Sequence, residues 1–155
     1  MQSKWNYPNG AIYALIEEKK RTFFYETGQM KTIEEYCEGK LEGQVLLFWP
    51  NGQLKRKSYF SCGYRQGSDQ IWDESGQLRD EGIYEEGQPI GTHKRWNRKG
   101  ILVEEILFLG NGRCNFKRWD EEGQFKAEGI WSGLNYLERK WDQEQKKWIE
   151  TRVDG

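Results

Sequence analysis

The chain has 155 residues, with 24 basic and 25 acidic side chains and a formal net charge of −1. That length amounts to one domain, and the balanced charge excludes both the strongly basic footprint of a general nucleic-acid binder and the net acidity of a disordered tail. Aromatic residues make up 15%, too many for a disordered chain and a bias toward strands over helices.

The opening stretch MQSKWNYPNG has no apolar core of the kind a cleavable signal peptide needs, and no apolar run in the chain is long enough for a transmembrane helix. A first, shortened repeat is expected over residues 5–22. Its Gly10 stands 18 residues before Gly28, and AIYALIEEKKR reads as a strand ending in a charged loop. From there the turn glycines Gly28, Gly52, Gly76, Gly100 and Gly123 advance by 24, 24, 24 and 23 residues. They define repeats near 23–46, 47–70, 71–94, 95–117 and 118–142. Residues 143–155 form a charged C-terminal cap in which Gln145 replaces the turn glycine. Its charges discourage edge pairing; a short helix is the alternative reading of this segment, while its Trp, Ile, Thr and Val favour a strand.

Other positions keep the same register. Four residues before each turn glycine, or before Gln145, stand Phe24, Phe48, Trp72, Trp96, Trp119 and Trp141. Two after it come Ile12, Met30, Leu54, Leu78, Leu102 and Phe125, and eight after it Tyr36, Phe60, Tyr84, Phe108 and Trp131. Glycines cut each repeat into two strand-length stretches. PNG, ETG, ESG and EEG read as tight turns; EGKLEG and EGQPIG read as longer, glycine-bounded loops. Alternation puts the residues two, four, six and eight after the glycine on one face. There, Gly82 and Gly129 leave room for a neighbour's aromatic ring to lie over the backbone. The expected fold is all-β: an elongated, twisted antiparallel sheet of about five to six repeated 24-residue β-hairpins, roughly twelve strands in a single repeat domain over 1–155.

FYETGQMKTIEEYCEGKLEGQVLLFWPNGQLKRK and IWDESGQLRDEGIYEEGQPIGTHKRW resemble the bacterial MORN-repeat variant, a unit of aromatic–x–x–N–G–x–L–K, a polar stretch, Tyr, then x–x–G–x–x–x–G and an aromatic-containing strand. The resemblance runs over about residues 5–142 and weakens at LGNGRCN and beyond Trp141. YwqK-family antitoxins are built from such repeats. The resemblance implies a non-catalytic interaction protein, of a kind sometimes paired with toxins and sometimes directed at a host, and it supplies no catalytic residue to carry over.

The residues offer little chemistry of their own. His93 is the only histidine, which excludes any site needing two and reads as a packed or solvated strand residue. Cys37, Cys62 and Cys114 lack metal-ligand or disulfide-framework spacing and read as reduced, half-buried thiols. The acid pairs Glu34–Glu35, Glu85–Glu86, Glu104–Glu105 and Glu121–Glu122 recur with the repeat, and adjacent strand residues face opposite ways. No cofactor or metal is called for. HKRW, FKRW and ERKW place Lys94, Arg95, Lys117, Arg118, Arg139 and Lys140 before Trp96, Trp119 and Trp141. One reading stacks them into a basic–aromatic stripe for nucleic acid or anionic lipid; the other pairs the cations with acids across strands.

The favoured function is a non-enzymatic protein-binding repeat module, an antitoxin or immunity protein that neutralises a toxin. Its contacts are expected at Trp72, Trp96, Trp119 and Trp141 with Arg95 and Arg118, because Trp and Arg most often anchor interfaces. The alternatives are a host-directed effector or adhesin, and a nucleic-acid or lipid binder, which the near-zero net charge disfavours. The partner is then a toxin or a host protein, and the exposed end strands offer a route to a homo-oligomer. The location that fits is the cytoplasm, or a host reached by export without a cleavable signal.

Overall fold

The structure is a computed structural model and describes residues 2–154. Among them there is no helix, and the regular structure consists of fourteen strands. These are β1 (Ser3–Asn6), β2 (Ile12–Ile16), β3 (Lys20–Phe24), β4 (Met30–Cys37), β5 (Lys40–Phe48), β6 (Leu54–Ser61) and β7 (Tyr64–Trp72). They are followed by β8 (Leu78–Glu85), β9 (Gln88–Trp96), β10 (Leu102–Gly110), β11 (Arg113–Trp119), β12 (Phe125–Ser132), β13 (Asn135–Asp142) and β14 (Lys147–Val153). Strand order in the sheet is sequence order, so the chain is a succession of antiparallel hairpins. There are more strands than the roughly twelve expected, because AIYALIEEKKR breaks after Ile16 into two and residues 147–153 add one more. The chain divides into two compact units. An N-terminal unit runs to Leu78 and includes Tyr84–Gln88, and a C-terminal unit takes Arg79–Ile83 and runs on from Pro89.

Two kinds of connection alternate. The first follows β1, β3, β5, β7, β9 and β11 and contains the repeating glycine. In WPNGQ, Gly52 N donates to Trp49 O at 2.8 Å and Trp49 N donates to Gln53 O at 2.8 Å. Gly52 takes φ +85°, the left-handed position that closes such a loop with a bulge. The same pair of bonds closes the loops at Gly10, Gly28, Gly76, Gly100 and Gly123.

The second connection corrects the sequence reading. EGKLEG and EGQPIG are not longer loops. Glu38–Gly39 and Glu86–Gly87 are two-residue turns with both residues at positive φ (49° and 78°, 48° and 81°), as are Cys62–Gly63 and Asn111–Gly112. That pair of dihedrals matches the twist of the flanking strands, so the shortest loop is the favoured one. The second glycine of each motif instead lies within a strand. In β5 the pairing with β4 passes from Tyr36↔Leu41 to Glu34↔Val45 and leaves Gly43, at φ +93°, in a bulge. The bulge turns the Leu41 carbonyl toward the next hairpin, where Gly63 N donates to it at 2.9 Å. One repeat later Gly87 N donates to Arg65 O at 2.9 Å. These bonds fasten each hairpin to the next.

Each unit is one layer of strands, and few side chains are fully buried. The buried apolar residues are Ala14 and Val45 in the N-terminal unit and Phe116 and Ala127 in the C-terminal unit; Ser58, Asp69 and Glu138 are buried polar ones. The leucine and aromatic rows either side are mostly half-buried. Most of the buried residues belong to a cross-strand row six residues after the turn glycine. In the N-terminal unit the row reads Glu34↔Val45↔Ser58↔Asp69, in the C-terminal unit His93↔Ile106↔Phe116↔Gly129↔Glu138. As expected, rings lie over the glycines. His93 covers Gly82, its Nε2 2.9 Å from Ile83 O, and Phe116 covers Gly129. Where the neighbour is Asp69, the covered position is Ser58 instead. Ser58 Oγ donates to Asp69 Oδ1 at 2.8 Å, Arg56 Nε donates to the same oxygen at 2.8 Å, and the other Arg56 nitrogen pairs with Oδ2. Burial by itself raises the Asp69 pKa, but the bonds from Arg56 and Ser58 and the charges of Arg56 and Arg65 outweigh it and hold the carboxyl below its ordinary value.

Two outcomes follow, both read by chemical denaturation. Gly129→Ala places a methyl in the Phe116 ring and against the Leu137 carbonyl and costs about 1–3 kcal/mol, with no φ penalty involved. Asp69→Ala removes the carboxylate shared by Arg56, Arg65 and Ser58 and costs about 1–3 kcal/mol at neutral pH. Because the folded pKa of Asp69 is depressed, its contribution is present above the ordinary carboxylate pKa and is lost as pH falls through the depressed one. The Asp69→Ala penalty therefore shrinks in acid.

Candidate interaction surface

The C-terminal unit gathers most of the residues picked out by sequence, but on two faces. Consecutive strand residues point opposite ways. Trp96 shares a face with Lys94, Trp119 with Lys117, and Trp141 with Arg139; Arg95, Arg118 and Lys140 lie on the other. The expected contact set is therefore divided, with the tryptophans on one side and the arginines on the other. All four tryptophans, including Trp72 in the N-terminal unit, are half-buried. The exposed tryptophans are Trp5, Trp131 and Trp148.

On the arginine face the cations are held by acids. Arg95 reaches Asp80 at 3.3 Å and Glu104 at 3.2 Å, and Arg118 reaches Glu104 at 3.1 Å and the buried Glu138 at 3.7 Å. Lys140 Nζ binds Glu138 at 2.8 Å. That hydrogen bond and the carboxylate charge push the Lys140 pKa up; burial and the same carboxylate push the Tyr136 phenol up.

On the tryptophan face the register builds a ladder of alternating charge, Lys94↔Glu105↔Lys117↔Glu128↔Arg139↔Glu150. Arg139 and Glu128 meet at 3.5 Å, Lys94 and Glu105 at 4.0 Å. The basic stripe of the sequence is thus interrupted at every step. Its lysines and arginines come from β9, β11 and β13, and the strands between supply the acids. Glu104 and Glu105 take their partners on opposite faces, as strand alternation requires.

Beside the ladder, away from the tryptophans, runs an aliphatic row: Leu107↔Asn115↔Ile130↔Leu137. Leu107 is 39% exposed and Ile130 48%. Ladder and row together line a hollow of 430 Å3 between Glu105, Lys117, Glu128 and Arg139 on one side and Leu107, Ile130 and Leu137 on the other. The sequence reading missed this surface. Its signal was present in the alternation of acid and base at equivalent positions, but only the pairing of successive strands brings the two halves together.

Residues 17–38 and 41–61 match the MORN repeat variant. The two segments contain the β3–β4 hairpin and, but for Lys40, the β5–β6 hairpin, each centred on a glycine-closed loop, and they support reading the chain as a MORN-repeat protein. No curated protein matches the sequence. A crystal structure at 1.90 Å of a protein of unknown function from Bacteroides fragilis NCTC 9343 aligns over 100% of this chain and 91% of its own, at 9% identity and a TM-score of 0.16, too low to bear on the fold.

Among the described residues no cluster of three or more His, Cys, Asp or Glu is placed to hold a metal ion. Cys37 and Cys62 are exposed rather than half-buried, because they sit at the two-residue turns; Cys114 is half-buried. No helix of the described residues is long and apolar enough to cross a membrane.

Lys117→Glu sets three acids side by side in the ladder. It destabilises the protein by up to about 1 kcal/mol for each of the two opposed pairs, and the loss shrinks as salt is added, when thermal unfolding is followed at low and high ionic strength.

Proposed function

We propose that this MORN-type chain is a non-enzymatic protein-binding module whose contact surface is the charge ladder and aliphatic row of β10–β13. The observation that carries this reading is the exposed Leu107–Ile130–Leu137 row set against alternating acids and bases. An apolar centre with a charged border is the anatomy of a protein interface. The alternation adds little raw affinity but fixes the register of a partner bearing the complementary pattern and penalises a shifted one. Trp96, Trp119 and Trp141 border the ladder on its other side and are proposed as flanking contacts. Arg95 and Arg118 would serve a partner that engages the opposite face, and Trp72 one that reaches the N-terminal unit.

A nucleic acid is the poorer fit. A phosphate backbone needs uninterrupted cations, and here each cation is flanked by a carboxylate. The finer reading, a toxin-neutralising antitoxin or immunity protein acting in the cytoplasm, rests on the likeness to repeats of the YwqK family. A host-directed effector is its alternative.

The test is capture of a stoichiometric partner by the full chain, followed by titration with variants. Ile130→Asp, at an exposed site that tolerates the change, weakens binding by at least about tenfold while the spectrum of the folded protein is kept. Equal binding by Ile130→Asp, or capture of nucleic acid with a steep salt dependence, overturns the reading.

A further inference from the structure

The charge ladder has a symmetry of its own. Glu105, Lys117, Glu128 and Arg139 stand opposite one another on β10, β11, β12 and β13, so the sign changes at every strand. A row that alternates over an even number of strands is its own complement when run backwards. Beside it, Leu107 and Leu137 lie at the two ends of the aliphatic row, with Asn115 and Ile130 between them. The hollow spans the same four strands, so its midline falls between β11 and β12.

We propose that the partner of this face is a second copy of the chain, packed face to face about a two-fold axis that runs parallel to the strands, midway between β11 and β12. The proposal rests on reading the face as a contact surface. A two-fold axis that turns a sheet face against itself lies in the plane between the two sheets. Set along the ladder, it opposes each charge to itself. Set along β11 or β12, it opposes Lys117 to Lys117 or Glu128 to Glu128. Set between those strands, it opposes Glu105 to Arg139 twice and Lys117 to Glu128 twice, and no like charges meet among the four.

The apolar residues fit the same axis. Leu107 of each copy meets Leu137 of the other. Ile130 of each copy, 48% exposed, lies over Asn115 of the other, where the aliphatic row is interrupted and the hollow opens. Moving the axis one strand spacing toward β10 keeps opposed charges unlike, but it sets Leu107 against Asn115 and Ile130 against Thr92, so no aliphatic side chain meets another. Moving it one spacing toward β13 brings Arg152 over Asn115 and takes the two hollows out of line. Sheets packed face to face keep their strands within about 30° of each other and lie about 10 Å apart, room for a lysine and a glutamate to meet from opposite sides. The apolar row supplies the affinity and the ladder the register. Both copies use the same patch, so assembly stops at two.

Sedimentation equilibrium on the full chain, alone and in mixtures, tests this. The parent chain rises reversibly from one 18.5 kDa copy to two, and no further, as concentration increases. Lys117→Glu alone and Glu128→Lys alone each set like charges opposite one another twice and weaken self-association by about tenfold or more. Mixed in equal amounts, the two variants pair with each other, because an acid again faces a base at both contacts. Ile130→Asp, which leaves the ladder intact, weakens self-association as well. A parent chain that stays monomeric overturns the proposal; if Ile130→Asp still weakens capture of a foreign partner, the reading of the face as a contact surface stands without it. Single exchanges that associate as the parent does also overturn the proposal, as do folded variants that fail to associate when mixed and assemblies larger than two.

Discussion

Everything in this fold depends on the absence of a second layer within each unit. A β-sandwich buries one face of each sheet against another, so its strands alternate cleanly between core and solvent. Here each unit is one sheet deep, and a side chain packs on the strands to its left and right. Burial is therefore concentrated in the middle row, where Val45, Ser58 and Asp69, or Phe116 and Glu138, are enclosed by neighbours on both sides. Register becomes the whole of the tertiary structure. The glycine-closed loops fix it, together with the bulge at Gly43 and its equivalent at Gly67, where the β6–β7 pairing passes from Phe60↔Arg65 to Ser58↔Asp69, since a one-residue slip would carry each side chain to the opposite face.

That dependence explains what was legible in the sequence. The 24-residue glycine series marks the loops because the left-handed φ at Gly52 and its equivalents is a local demand that glycine meets without strain. The pairing of Gly82 with a ring was legible for the same reason: a position without a Cβ announces a close approach. The tighter of the two connections was misread. Both motifs carry two glycines, and nothing in EGKLEG says that its first glycine ends a two-residue turn while its second sits in a bulge. The turn-to-turn bonds were hidden as well. Tyr7 and Tyr25 hydroxyls and the Trp49 indole donate to the carbonyls of Phe24, Phe48 and Trp72 at 2.9, 2.9 and 3.0 Å, ties between repeats that look in sequence like scattered aromatics.

The interaction surface was the least legible part, and the reason is geometric. HKRW and FKRW each present two cations and a ring in a row, which reads as one basic stripe. A strand sends adjacent residues to opposite faces, so Lys94 and Arg95 never share a surface. A hairpin interleaves each such strand with one drawn from the other half of the repeat, where EE and AEG supply Glu104, Glu105 and Glu128. Balanced composition in the sequence thus becomes alternating charge in space. Beside that alternation, Leu107 and Ile130 leave apolar surface open.

The middle row shows how such a fold admits variety without losing register. Val45, Asp69, His93, Phe116 and Glu138 occupy equivalent places one repeat apart, and only Asp69 and Glu138 share a chemistry. Each is matched by what lies beside it. Asp69 meets the hydroxyl of Ser58 and the guanidinium of Arg56; His93 and Phe116 meet glycines that make room for their rings; Glu138 meets Lys140 and Arg118. A residue in this row is free to change so long as its cross-strand neighbour changes with it, because no second layer constrains the pair. The constraint that leaves the sheet thin therefore also leaves its surface free to diverge repeat by repeat, while the loops that set the register stay the same. A chain built this way can carry a distinct pattern of charge and apolar surface on a backbone common to all its repeats.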